Sequence, residues 1–275
     1  LQMLKDASKK GRKAKRQRVE KLLDANERKK RELCTLFICE GDSAIGGLRS
    51  ARNRLYQGGI ALKGKPMNVA QSNIKDILAN QEFSNIMASI GLTLGLPAEL
   101  ADLRFSNIVF LADSDVDGGH INTLLTNFFF TFWPELFVAG AIQIAKAPLY
   151  EVETDADTVF IETPIQLAAL KRKKSTKIKT IHRNKGLGEM SPEAWKWIMS
   201  RESYTKINID DLDSARNTLE VCFGKDSTPR KELLMDGTNV SSLKNTKVKS
   251  AKSKTASKTA KKTAKKTAKK TAKKT

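Results

Sequence analysis

Two short acidic runs stand about seventy residues apart: Glu40-Gly41-Asp42-Ser43-Ala44 and Asp113-Ser114-Asp115-Val116-Asp117-Gly118. One Glu and up to three Asp brought to one place repel each other and require a cation, and an all-oxygen donor set suits magnesium. A single ion would be held by Glu40, Asp113 and Asp115, with water at its remaining positions. A second, shared by Asp115 and Asp117, would give the two-ion arrangement that serves phosphodiester chemistry. Glu40 is also suited to moving a proton at a reacting oxygen. Asp113 and Asp115 are two apart and point the same way in extended chain, whereas Gly118-Gly119 interrupts that register near Asp117. Asp42 is expected to cap a helix that begins near Ser43. The chemistry indicated is Mg2+ acting on phosphates.

Neither run is specific alone. Glu-Gly-Asp-Ser is commonly a capped turn. Asp-x-Asp-x-Asp-Gly also opens calcium loops, but an apolar strand precedes it here. Leu124 stands where that loop needs its bidentate Glu. The pairing, order and context of the two runs carry the reading.

The elements that must position these acids follow from the flanking residues. Cys34 to Cys39 and Ile108 to Ala112 are apolar, strand-forming runs. Buried parallel strands that end in a carboxylate deliver it to the carboxyl edge of the sheet, where open α/β folds place their ligands. A Gly-rich turn at Gly41, Gly46 and Gly47 is expected before a helix holding Arg49, Arg52 and Arg54. Gly58-Gly59 opens a short β segment over Ile60 to Val69, and Asn73 to Gly91 has helical apolar spacing. His120 to Val138 reads as a buried helix that Pro134 kinks or ends. A strand from Ile142 to Val152 is broken or at an edge at Pro148. Further on, Pro164 to Leu170 starts a helix, Lys171 to Lys179 is a basic connector, and Thr180 to Arg183 is a strand. Ser191-Pro192 is a helix start with its cap, and Trp195 and Trp197 cannot face the same way.

The organisation expected is a basic helical linker over 1–33, a metal-binding α/β domain over 34–149, a smaller α+β tail region over 150–240, and a disordered Lys/Ala/Thr-rich tail over 241–275. The net charge is +20, and the 14 lysines from Lys244 onward, with no acid among them, account for all but +6. Such a tail calls for a polyanion, nucleic acid before a membrane surface. Cys34, Cys39 and Cys222 have no metal-ligand spacing and read as reduced thiols, the first two packed in a core strand. The most apolar stretch, Leu124 to Ile142, is interrupted by Asn127, Pro134 and Glu135, so no membrane span is expected.

Six ordered motifs then carry a resemblance over about residues 20 to 235. They are the paired acidic runs, Arg52-Asn53-Arg54, Leu62-Lys63-Gly64-Lys65-Pro66-Met67-Asn68-Val69, His120-Ile121-x-Thr123-Leu124-Leu125, Ala147-Pro148-Leu149-Tyr150 and Lys185-Gly186-Leu187-Gly188-Glu189-Met190. The chain resembles the C-terminal half, Toprim plus tail region, of the B subunit of bacterial-type type IIA topoisomerases, DNA gyrase or topoisomerase IV. That resemblance implies a Rossmann-like Toprim parallel sheet flanked by helices. It implies a magnesium-dependent half of a DNA cleavage-reunion centre that changes DNA topology by double-strand passage. The nucleophilic tyrosine would come from an A subunit in an A2B2 heterotetramer acting on double-stranded DNA, in the cytoplasm and associated with the nucleoid. It implies Glu40, Asp113 and Asp115 as catalytic magnesium ligands, with Asp117 for a second ion, and Lys65 and Asn68 at DNA, beside Lys63, Arg52 and Arg54. Basic residues beside an acidic metal site also fit the need to hold a backbone that the acids repel.

The glycine-rich Lys185 to Met190 motif suggests a tight turn, to which no catalytic role is assigned. Departures include Ile45-Gly46-Gly47-Leu48 where the family has a small Ser- or Ala-containing run, and Ala61 and Pro66 around the basic motif. The insertion some gyrases carry between Tyr150 and His182 is missing. Residues 1–33 look like the end of a transducer, so ATP would act only through a missing upstream domain. Two other readings remain: a stand-alone Toprim nuclease or primase-like enzyme, and a DNA-binding module driven by the lysine tail.

Overall fold

The computed structural model describes residues 19–173, 175–201 and 204–235. Two compact units are formed, one within Leu1–Leu212 plus Phe223–Lys225 and a second within Asp213–Cys222 plus Asp226–Thr275. Both the basic residues Lys9 to Arg18 and the lysine tail beyond residue 240 lie outside the described residues.

The first unit is built on a five-stranded sheet. Its strands are β1 (Thr35–Glu40), β2 (Gln57–Leu62), β3 (Asn107–Ala112), β4 (Ile142–Lys146) and β8 (Thr205–Lys206), in the order β2-β1-β3-β4-β8. β1 to β4 are parallel and β8 pairs antiparallel with β4. The central strands are covered on both faces, which is why Leu36 to Cys39 and Ile108 to Leu111 are continuous apolar runs rather than alternating ones. From β1 the chain moves to one side to make β2, then crosses to the other side of β1 to make β3. That reversal opens a crevice at the carboxyl ends of β1 and β3, the place where doubly wound sheets bind ligands.

Helix α1 (Asp42–Ala51) follows β1, and α2 (Ile74–Ala79) and α3 (Gln81–Ile90) follow β2. The expected helix over 73–91 is thus two, because Asn80 ends the first and its side chain caps the second by accepting from the Phe83 N–H. α4 (Val116–Phe132) packs Phe128 and Phe129 under the sheet. There Phe83 stacks on Phe128 at 4.1 Å, and Phe129 meets Phe110 at 5.6 Å. α4 ends before Pro134, which begins the short α5 (Glu135–Val138), as the ring's missing N–H dictates.

Of the two alternatives at Pro148, the strand break is what forms: β4 and β5 (Tyr150–Thr154) belong to different sheets. β5 is the centre of a three-stranded antiparallel sheet, β6-β5-β7, with β6 (Thr158–Ile161) and β7 (Ile178–Arg183). α6 (Pro164–Arg172) covers it through Leu167 and Leu170, and is opened by a full capping box between Thr163 and Gln166. α7 (Pro192–Met199) returns to the large sheet and lies on α1.

Three further local expectations differ from the fold. Gly46 and Gly47 are inside α1, not in a turn before it. Gly47 is required there because a Cβ would lie 2.2 Å from the Trp195 indole Nε1. Trp195 is buried in this way, while Trp197 faces Phe160 at 5.4 Å, so the two indoles do meet different surfaces. Residues 19–30 form an irregular strap rather than a helix, and only a single 3-10 turn follows at Arg31–Leu33. Leu23 bridges Gly59 at the edge of β2, and Asp24 draws in Arg28 at 2.7 Å and Arg104 at 2.6 Å. Its sparse apolar residues offer no helical stripe, so ion pairs and one β-bridge determine its path.

In the second unit, residues from α8 (Leu212–Phe223) and α9 (Thr228–Met235) are helical. Among the described residues no helix is long and apolar enough to cross a membrane. Cys34 and Cys39 are buried free thiols, and burial alone pushes Cys39 up to about 12, as a packing role requires.

Candidate active site

β1 and β3 run in register, Cys39 beside Leu111, so Glu40 emerges next to the end of β3 and the residue after it, Asp113. The chain must then turn sharply. Gly41 does so at φ 78°, a conformation that favours glycine. The Asp113 N–H donates to Glu40 Oε2 at 3.2 Å. Asp113 Oδ1 accepts the Leu187 N–H at 2.8 Å. Burial, together with the charges of Asp113, Asp115 and Asp117, raises the Glu40 carboxyl above its ordinary value despite the Asp113 hydrogen bond. Burial also raises Asp113, with Asp115 and Glu189 adding repulsion against the relief from Leu187.

The other acids are turned to different work. Asp115 is the N-cap of α4, its Oδ1 accepting the Gly118 N–H at 2.7 Å. Asp117 lies in the first turn of that helix and pairs with Lys65 Nζ at 2.7 Å, which lowers its carboxyl below the ordinary value. Asp42 does not cap α1. Gly41 occupies the cap position without a side-chain bond, and Asp42 is the first helical residue, where its charge still favours the helix N-terminus.

The basic residues divide similarly. Lys63 and Lys65 are exposed just beyond the carboxyl end of β2, beside the crevice, whereas Arg54 is exposed ahead of β2, at the opposite edge of the sheet from Glu40. Arg52 instead donates through Nη1 to the carbonyls of Asp24, at 3.0 Å, and Gln57. The Asn68 carboxamide donates to the Phe223 carbonyl at 2.9 Å and accepts the Ala70 N–H at 3.1 Å.

A family profile described as Toprim domain matches residues 35–146. This part of the chain is a Toprim domain. The B subunit of DNA gyrase from Thermotoga maritima is 35% identical over 74% of this chain and 32% of its own length. Its counterpart in the gyrase of Mycoplasma genitalium is 37% identical over 76% and 32%. The B subunit of DNA topoisomerase 4 from Streptococcus pneumoniae is 34% identical over 73% and 32%. The chain therefore spans about a third of the length of these relatives and corresponds to their Toprim-bearing region. Among solved structures, the DNA-binding, cleavage and re-ligation domain of Plasmodium falciparum topoisomerase II superposes with a TM-score of 0.71 at 26% identity. It covers 82% of this chain and 33% of that one.

The Toprim crevice suits a hard cation through its donor chemistry. Glu40 and Asp113 stand at neighbouring strand ends, each raised by burial and by repulsion from nearby acids, and a divalent ion relieves both effects. Among the described residues no three of His, Cys, Asp and Glu converge as a ready metal cage. The expected trio of Glu40, Asp113 and Asp115 is thus not assembled. The two that remain, Glu40 and Asp113, match the one or two carboxylates that magnesium uses beside water and substrate phosphates.

The largest omission in the sequence reading is the turn Gly186 to Glu189. It packs directly on Asp113 and Ser43: a Cβ at Gly186 would lie 2.7 Å from Asp113 Oδ2, and one at Gly188 would lie 3.2 Å from Ser43 Oγ. The signal was present as two closely spaced glycines, but nothing in the sequence says which surface such a turn approaches.

Proposed function

We propose that this chain is the magnesium-dependent, acidic half of the DNA cleavage-reunion centre of a type II topoisomerase. The observation that carries it is the convergence of Glu40 and Asp113 at the switch point of a Toprim sheet, in a chain aligned with the B subunits of gyrase and topoisomerase 4. The reacting partner would be a tyrosine on an A subunit in an A2B2 assembly, and the substrate double-stranded DNA.

Glu40 and Asp113 would hold the ion, with Asp115 joining if it releases its cap and Asp117 if it releases Lys65. When bound, Mg2+ would offset phosphate charge and stabilise charge on the attacking or leaving oxygen. Glu40, raised in the crevice, is suited to hold or return the proton of the tyrosine hydroxyl. Lys65 and Lys63 would hold the DNA backbone beside the scissile phosphate, since the acids alone repel it, and Arg54, at the opposite sheet edge, would meet DNA only away from the reacting phosphate. Asn68 would shape that surface through the Phe223 carbonyl it binds, while Arg52, bonded to Asp24 and Gln57 at the other end of β2, would act as a structural brace. ATP is assigned to a domain upstream of this region, and the chain to the cytoplasm with the nucleoid.

The test mixes the chain with a bacterial-type A subunit and supercoiled plasmid, with and without Mg2+, beside Asp113→Ala. Magnesium-dependent double-strand cleavage is expected only in the mixture and is lost in the variant. Cleavage by the chain alone, or undiminished cleavage by Asp113→Ala, refutes a split centre of this kind.

A further inference from the structure

Asp113 is held at four points. Its N–H bonds Glu40 Oε2, and its carbonyl oxygen is enclosed by Gly118, where a Cβ would sit 2.1 Å away. Its Oδ1 accepts the Leu187 N–H at 2.8 Å. Its Oδ2 lies under Gly186, where a Cβ would approach to 2.7 Å. The last two contacts come from a turn 74 residues further along the chain.

That turn is itself anchored. Leu187 and Met190 are buried in the same cluster as Phe37, Leu48 and Trp195. Glu189 closes it by accepting the Lys185 N–H at 3.3 Å, and its N–H meets the Gly186 carbonyl at 3.1 Å. Gly186 has φ −161° and ψ 170°, extended backbone open to any residue, so no backbone requirement explains glycine there. The explanation is the carboxylate beneath it.

We infer that Gly186 and Leu187 are positioning residues for the metal site, together fixing the orientation in which the Asp113 carboxylate meets a divalent cation. This rests on the metal reading of Glu40 and Asp113 above. The Leu187 N–H engages one oxygen, and the bare Gly186 Cα leaves room for the other. A side chain at 186 would turn the carboxylate without disturbing the main chain, because the atoms it strikes are the end of a rotatable side chain. Groups that orient a metal ligand in this manner typically change metal affinity by about 10- to 100-fold when lost.

The test is direct binding of Mn2+, as a stand-in for magnesium, to the full chain stripped with EDTA, read from the free-ion EPR signal. Gly186→Ala, Asp113→Ala and Gly46→Ala are compared, the last adding a Cβ into open space. Wild type and Gly46→Ala are expected to bind alike, and Asp113→Ala to lose binding. Gly186→Ala should weaken binding at least about 10-fold while its melting temperature in EDTA stays at the wild-type value. A purely packing role would show the reverse, a lowered melting temperature with unchanged affinity.

Leu187→Pro provides a second route if Gly186→Ala folds poorly. It deletes the N–H donor, and Gly186 already has the extended backbone that a following proline demands. The same loss of affinity is expected. Wild-type affinity in Gly186→Ala or Leu187→Pro, beside lost binding in Asp113→Ala, overturns the inference and leaves the metal reading standing. Equal binding by wild type and Asp113→Ala overturns both.

Discussion

Gly118 and Gly119 are neighbours in the first turn of α4, and alanine at each should have opposite effects on stability. At Gly119 a Cβ meets nothing within 4 Å. Alanine there recovers helix propensity and should stabilise by up to about 1 kcal/mol. At Gly118 the Cβ would lie 2.1 Å from the Asp113 carbonyl oxygen, 2.9 Å from its nitrogen and 3.0 Å from its carbonyl carbon. Normal C···O separations are about 3.3–3.6 Å, so the β3–α4 connection must open by roughly 1.2 Å. These are backbone atoms, and no rotamer change relieves the clash.

Overpacking of this kind costs about 1–3 kcal/mol. Shifting Gly118 also stretches the bond from its N–H to Asp115 Oδ1, now 2.7 Å, and a lost N-cap costs about 1 kcal/mol more. Against these stands the same propensity gain of about 1 kcal/mol, so the net is a loss of about 1–3 kcal/mol. In a unit near 200 residues, each kcal/mol moves the midpoint by about 2–4 °C. Urea unfolding of both variants, followed by tryptophan fluorescence, checks the sign of each. A Gly118→Ala chain as stable as wild type, or a shift of the same sign in both, would refute the packing argument.

Three further outcomes are expected. Asp24 is pushed up by burial, yet the hydrogen bond from Arg28 and the charges of Arg104, Arg28 and Arg31 outweigh this and its carboxyl lies below its ordinary value. A folded-state value below the unfolded one contributes stability at neutral pH that disappears as pH falls through the carboxylate range. Asp24→Asn should therefore lose on the order of 2 kcal/mol at pH 7 and show a shallower decline than wild type below pH ~4, measured by urea midpoints at each pH. Lys65→Ala breaks an exposed ion pair, its partners 46% and 66% exposed. The unfolding midpoint should stay where it is, while DNA affinity falls and the slope of log affinity against log salt drops by about one. An unchanged slope would remove Lys65 from the DNA face. Deleting residues 244–275, with their 14 lysines, should weaken DNA binding and flatten its salt dependence; equal affinity after deletion would leave the tail without that role.

Much of the fold can be read without coordinates. Apolar runs that continue for five or six residues and then stop at an acid specify buried parallel strands delivering Glu40 and Asp113 to one edge. That follows from burial on both faces and needs no tertiary detail. Pro134 ending α4 and Ser191-Pro192 opening α7 are equally local, because a missing N–H or a cap hydroxyl acts within one turn. The strap at 19–30 was misread for the converse reason. Its path depends on Arg104 and Gly59, residues distant in sequence whose charge and strand edge outweigh weak helical propensity.

The type of each acidic residue was legible, but its task was not. Asp115 and Asp117 look interchangeable with Asp113 in a D-x-D-x-D run, yet one caps a helix and the other meets Lys65, because the chain turns helical at Val116. The contact of Gly186 and Leu187 with Asp113, and the seat of Trp195 on Gly47, exist only once the tail region folds back across α1. The sequence by itself determined which residues carry chemistry and which strands deliver them, since side-chain type and hydrophobic runs act locally. Only the tertiary structure decided how the carboxylates are oriented and which of them are occupied, because orientation is set by close contacts between segments far apart in the chain.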